Sequence, residues 1–314
     1  MEGGQPQYYA PSGDGVEAGS PRPHLGGMNL FQYALACLFA TAGSGAVSPL
    51  ANAATTPPVF FMVAADPQFG MFAKDSNFVQ ETANFEMVIA TANRLHPAFL
   101  IVVGDLINKP GDRAQSAEYW RIARKLDRSI PLYNVAGNHD VGNTPTPASL
   151  RAYTASFGAD HYTFRVGDLT GIVLNSSIID SSVATATEFA EQERWLTDEL
   201  ARARAANVRH LLVFQHHPWF LTTADEPDQY FNIPLAHRPR YLALFHRYGV
   251  EALFAGHYHQ NALAHDGEIE MVTSGPVGMP FGGTHSGIRL VTVTDSGLTH
   301  QYYDFGELPH HAPK

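Results

Sequence analysis

The chain has 314 residues, 45% of them apolar and 16% charged, which is enough material for one large globular domain of about 250 residues. A formal net charge of -10 and an isoelectric point near 5.8 argue against a broad phosphate-binding surface, so no nucleic acid partner is expected. Cys37 is the single cysteine, so no disulfide framework, cysteine-rich zinc site or thiol nucleophile is on offer.

Residues 1–27 are rich in Gly, Pro and Ser and read as disordered. Residues 30–47 form an uncharged, mostly apolar run, and Ala51 and Ala53 then stand at the spacing of an A-x-A cleavage site, placing a mature start near Ala54. Residues 28–53 thus have the length of a secretory signal peptide but lack its positively charged beginning. The expectation is an exported, extracytoplasmic protein, or a cytoplasmic one if residues 1–58 are only a disordered leader. Gln, Gly, Ser and Thr within the run argue against a stable membrane span.

From residue 59 the pattern repeats strand, loop and helix. Residues 59–65 are a buried strand ended by Asp66-Pro67. Phe85, Val88, Ile89, Ala92 and Leu95 recur at helical spacing, and Pro97 closes that helix. Residues 99–103 form a second strand ending at Gly104-Asp105. Residues 117–126 are helical, and 131–136 form a third strand ending at Gly137-Asn138. Residues 162–166 and 171–175 pair as strands, and Thr187 caps a helix running through Trp195 and Leu200. Residues 211–214 lead as a strand into Gln215-His216. A helix over 241–248 precedes a strand over 250–254, which ends at Gly256-His257. Residues 269–273, 288–294 and 298–303 read as three further antiparallel strands. The alternation predicts one α/β domain over 59–308, with two sheets packed together and helices outside.

The polar residues are informative by position. Asp66, Asp105, Asn138-His139-Asp140, His216, His257 and His259 all follow apolar strands. Strand ends of an open α/β sheet share one edge, where ligands bind. Singly, each has an ordinary explanation: an Asp after a strand usually caps a turn, and paired histidines are usually solvated. Together they deliver carboxylates, an amide and imidazoles to one place. That donor set suits divalent or trivalent first-row metals rather than structural zinc. Bound ions would also reverse the acidic local field for a phosphorylated substrate.

The series Asp66 … Gly104-Asp105 … Gly137-Asn138-His139-Asp140 … His216 … Gly256-His257-x-His259 resembles the five-block signature of calcineurin-like metallophosphoesterases. The resemblance implies a four-layer α/β/β/α sandwich with two mixed sheets and two divalent or trivalent ions (Mn, Fe, Zn or Mg). It implies that Asp66 and His259 bind one ion, that Asn138, His216 and His257 bind the other, and that Asp105 bridges them. His139 would be proton donor or phosphate contact, oriented by Asp140. In His216-His217 the first is the expected ligand. One block departs from the pattern: where Asp-x-His is usual, Gln68 replaces the histidine, and its oxygen is the weaker donor. The same Asp-Pro-Gln form is found in animal members of the family, and the substitution also in manganese-dependent ADP-ribose/CDP-alcohol pyrophosphatases. The resemblance implies hydrolysis of a phosphate monoester, on a small molecule or a phosphoprotein carrying phosphoserine or phosphothreonine. A phosphodiesterase or nucleotide pyrophosphatase using the same ions is the alternative, and a phosphate-binding pseudo-enzyme a third reading. Residues 219–231, with Asp225, Glu226 and Asp228, and the Gly-rich residues 275–283 are expected to flank the site, the acidic loop repelling polyanions.

Overall fold

A computed structural model describes residues 57–312, so the expected leader and signal segment lie outside the described residues. In chain order the elements are β1 (Val59–Ala64), α1 (Val79–Leu95), β2 (Leu100–Val102), α2 (Arg113–Ala123), β3 (Leu132–Asn134), α3 (Asn138–Val141), α4 (Pro147–Phe157), β4 (Tyr162–Val166) and β5 (Leu169–Val173). They continue as α5 (Ser177–Asp180), α6 (Ala186–Ala205), β6 (His210–Phe214), α7 (Arg238–Tyr248), β7 (Ala252–Ala255), β8 (Ala262–Asp266), β9 (Ile269–Thr273), β10 (Gly287–Thr294) and β11 (Gly297–Asp304).

The strands form two mixed sheets, one in the order β11-β10-β1-β2-β3 and the other β4-β5-β6-β7-β9-β8. Alternation along single strands sets the layers, because successive side chains point to opposite faces. Met62 and Ala64 of β1 join a core that includes Phe85, Val88 and Ile89 of α1 and Tyr119 and Ile122 of α2. Phe61 and Val63, their neighbours, face the other way into a core shared with Leu212 and Phe214 of β6 and Phe254 of β7. Leu211, Val213 and Leu253 then face outward against Leu196 and Leu200 of α6 and Phe245 of α7. Helix, sheet, sheet, helix is therefore written in apolar runs whose successive residues are buried on opposite faces, as in the last four residues of β1 and throughout β6 and β7. The middle layer is aromatic: Phe61 stacks on Phe99 at 4.5 Å and Phe214 on Phe254 at 5.3 Å.

Some expectations need correction. Strand β9 does not belong with β10 and β11: it pairs parallel to β7 and antiparallel to β8, whereas β10 and β11 form a hairpin on the edge of the other sheet. Helix α2 starts four residues before the expected one, because the Asp112 carboxylate accepts from the Ala114 and Gln115 amides. Helix α6 follows Thr185, so Thr187 lies inside it rather than capping it. Among the described residues no helix is long and apolar enough to cross a membrane.

Candidate metal centre

The parallel pairings β1–β2, β2–β3 and β6–β7 bring the carboxyl ends of strands from both sheets to one edge. Asp66 and Asp105 leave β1 and β2 in neighbouring loops, tied by Asp66 N–H to Gly104 O at 3.2 Å and Gln68 N–H to Asp105 O at 2.8 Å. Asn138 opens the short helix α3, while His216 and His257 each stand two residues beyond β6 and β7. The backbone is unusual here. Asp66, Gln68, Asp105, His257 and His259 have φ of 48°, 43°, 50°, 66° and 54°, a left-handed region few non-glycine residues adopt. A side chain on Gly104 would overlap the His216 ring, and one on Gly137 the Asp105 carboxylate. Those two glycines explain the Gly-Asp and Gly-Asn steps of the sequence.

All of the sequence-predicted metal ligands are buried, and two sets of donor atoms converge. Asp105, His216 and His257 form one, and Asp66, Asp105 and His259 the other, the ligand atoms of each lying within 4.8 Å of one another. Asp105 belongs to both. His216 Nδ1 donates to the Val103 carbonyl at 3.0 Å, which leaves Nε2 facing Asn138 Oδ1 at 2.9 Å and Asp105 Oδ1 at 3.3 Å. Three lone-pair atoms thus meet where only a proton or a cation can reconcile them. His257 Nε2 donates to Tyr230 O at 2.9 Å, and His259 Nδ1 to Met279 O at 2.6 Å, with its Nε2 3.6 Å from Asp66 Oδ1. Each of the three imidazoles spends one nitrogen on a backbone carbonyl and turns the other inward, as metal-ligating histidines do. Gln68 donates its Nε2 to Asn108, and its buried Oε1 has no partner among the described residues. The donor set fits a pair of ions.

Electrostatics say the same. Burial pushes the Asp66 carboxyl up, against the pull of His259 and His216. Burial would also raise Asp105, but His216, His139 and His257 hold it below the usual carboxylate range. Burial opposes charging His216, yet Asp105 and Asp66 raise it to about 9. Burial and then His216 lower His257 to about 3, so its imidazole stays neutral and keeps a lone pair to offer a cation.

His139 lies beside the centre: its N–H donates to Asp105 Oδ1 at 2.9 Å and its Nδ1 to Asn108 O at 2.8 Å. Asp140 does not orient that ring. Its buried carboxylate accepts from the N–H groups of Leu106 at 3.2 Å, Ile107 at 3.1 Å and Gly137 at 2.8 Å, pinning the β2 loop to the start of α3. Burial and then Asp105 raise its pKa to about 8, against the pull of those three amide bonds. His217 turns away to Ser176 Oγ at 2.9 Å, and burial lowers its pKa well below the usual value. Both expected flanking segments reach the site. Phe231 packs on His257 at 5.6 Å, and Phe281 stacks on His259 at 4.5 Å. The acidic loop is only partly a surface feature: Asp225 and Asp228 are exposed, whereas Glu226 is internal.

Two sheets with a shared carboxylate at their common edge make the buried Asp and His clusters suited to a dinuclear metal site, the arrangement of a metallophosphoesterase. Residues 61–261 match the family of calcineurin-like phosphoesterases, to which the chain belongs, and it is a hydrolase of phosphate esters. It is 36% identical over 267 residues to the serine/threonine-protein phosphatase CPPED1 of Homo sapiens, spanning 80% of this chain and 85% of that protein. The protein of the same name from Danio rerio is 37% identical over 267 residues, spanning 80% and 86%. A dimetal phosphatase structure from Danio rerio shares the fold with a TM-score of 0.55 at 15% identity, covering 79% of this chain and all of that one.

Proposed function

We propose that the protein is a phosphomonoesterase acting on phosphoserine and phosphothreonine at a two-metal centre. The observation that carries the reading is the pair of buried donor sets meeting at Asp105. Asp66, Gln68, Asp105 and His259 would hold one ion, and Asp105, Asn138, His216 and His257 the other. When bound, such a pair neutralises phosphate charge and makes water nucleophilic at neutral pH. The donors are compatible with Mn, Fe, Zn or Mg. The substrate class rests on the relatives, both named serine/threonine-protein phosphatases and both matched over most of their length.

The chain's own residues supply position and a proton. His139, fixed through its backbone N–H and Nδ1, keeps Nε2 free to protonate the departing serine or threonine oxygen. General acid help of this kind is worth ~10²–10⁴ in rate. The test is a panel of phosphopeptides, phosphodiesters and pyrophosphates, run on metal-free protein with and without added Mn²⁺. Phosphopeptide turnover should require the metal. His139→Ala should lower kcat on alkyl phosphates by ~10²–10⁴, and less on nitrophenyl esters, whose leaving group needs little protonation. Full activity of metal-free protein, or pyrophosphates preferred over phosphopeptides, would overturn the reading.

A further inference from the structure

Gln68 occupies a place where an imidazole is usual, and a carboxamide raises a question that an imidazole does not. It can turn either its oxygen or its nitrogen toward a cation, and only the oxygen binds. The direction is settled at the protein surface. Asp75 is exposed, and a carboxylate can only accept hydrogen bonds. Asn108 must therefore present Nδ2 to Asp75 Oδ1, and it does so at 2.8 Å. That turns Asn108 Oδ1 inward, where it accepts from Gln68 Nε2 at 3.2 Å. The remaining atom, Gln68 Oε1, is left buried and without a partner among the described residues.

The relay is braced. Gln115, itself buried, donates Nε2 to the same Asp75 oxygen at 2.8 Å, while its Oε1 accepts from the N–H groups of Asn108 and Lys109, both at 3.0 Å. Gly70 leaves room for this: with φ of +113°, a side-chain carbon there would lie 2.5 Å from Gln115 Nε2 and 2.8 Å from Asp75 Oδ1. The carbonyl of Asn108 meanwhile accepts from His139 Nδ1 at 2.8 Å.

We propose that Asn108 is a positioning residue whose side chain, aligned by Asp75, holds Gln68 with its oxygen toward the first ion, while its carbonyl holds His139. The inference rests on the two-metal reading above. Its experiment is calorimetric titration of metal-free, full-length protein with Mn²⁺ alone. Wild type should bind two ions. Asn108→Leu should weaken one of them by about 10–100-fold, the usual effect of losing a group that orients a ligand, and leave the other unchanged. Asp75→Ala, checked by urea unfolding because it also frees the buried Gln115 Nε2, should weaken the same ion in the same sense. In a Gln68→Leu background, neither substitution should add a further loss, because both act through the atom already removed. Unchanged affinities in Asp75→Ala and Asn108→Leu, or losses that add in full to that of Gln68→Leu, would overturn the relay alone. A wild type that binds no second ion would overturn the two-metal reading, and the relay with it.

Discussion

The two donor sets that share Asp105 are held by different means. Around Asn138, His216 and His257 each support is a single direct bond: Asn138 Nδ2 donates to Asn143 five residues on at 2.7 Å, His216 donates to the Val103 carbonyl just beyond β2 of the other sheet, and His257 donates to the Tyr230 carbonyl. Left-handed backbone occurs on both sides, at Asp66 and Gln68 as at His257, but the Gln68 amide is held by side chains 40 and 33 positions apart in sequence, ending at an exposed carboxylate. A backbone carbonyl such as those holding His216, His257 and His259 cannot be removed by substitution, whereas the side-chain relay behind Gln68 can. If two ions bind as proposed, the contrast predicts an affinity on the Gln68 side that side-chain substitution can tune more readily than on the His216 side.

The most severe way to break the comparison is to remove what both halves share. Asp105→Asn takes the carboxylate from both donor sets and leaves an amide between two places that demand negative charge. Both ions should bind more weakly, and phosphoester turnover should fall by ~10³ or more, on the order seen when a dominant electrostatic group is removed from an active site. Metal-to-protein ratio and turnover, measured on one preparation, check this. Weakening of a single ion would show that Asp105 does not bridge.

A gentler change sharpens the contrast. Gln68→His places imidazole, the better donor, on the more tunable side. The ion there should bind about tenfold more tightly while the other is unmoved, because the His216 and His257 supports do not run through residue 68. Two-site Mn²⁺ titration reads this directly. Equal shifts at both ions would mean the halves are not independently held.

Most candidate ligands were legible in the sequence because each is a polar residue following an apolar strand, a pattern needing no knowledge of long-range pairing, whereas Gln68 and the choice of His216 over His217 came only through the family resemblance. Their supports were not. Val103, Tyr230 and Met279 act through carbonyls, which leave no trace in residue type. The left-handed φ of Asp66, Gln68 and Asp105 is equally silent, since only glycine advertises it. The orienting role that the resemblance implies for Asp140 has no direct bond behind it here: its carboxylate reaches backbone amides, while His139 Nδ1 donates to the Asn108 carbonyl. Helix α4 escaped because it buries only Leu150 and Tyr153, too few for a periodic signal, although Thr146 before Pro147 was a readable start. Strand β8 is an edge strand with Leu263 exposed and only Ala264 buried, so it lacks the apolar run of the interior strands. The sheet membership of β9 depends on its partner β7, and no local pattern encodes a partner.

The smallest expected effect reaches the His216 side through the loop that carries Tyr230, whose carbonyl holds His257. Glu226 organises that loop from within. Its carboxylate accepts from the N–H groups of Leu221 and Thr222, both at 2.8 Å, from the Thr222 hydroxyl at 2.6 Å and from Asn232 Nδ2 at 2.6 Å. Arg238 closes the loop by donating to the carbonyls of Ala224 and Glu226 at 3.0 and 2.7 Å. Burial opposes ionisation of Glu226, but the bonds from Thr222, Asn232 and the amides overcome it and lower its pKa from the ordinary 4.5 to about 2. A carboxylate depressed in the folded state contributes stability that is full above 4.5 and is lost as pH falls toward 2. Glutamine keeps one oxygen but sets an amide donor against groups that also donate. Glu226→Gln should therefore cost about 1–2 kcal/mol at pH 7, with the gap from wild type closing between pH 4.5 and 2. Urea unfolding at pH 7 and pH 3 measures that gap, and an equal difference at the two values would mean that ionised Glu226 is not what holds the loop. If the loop in turn holds His257, the same variant should loosen only the ion on the His216 side, by a few-fold or about 1 kcal/mol. Loosening on the Gln68 side instead would dissolve the distinction between the two halves.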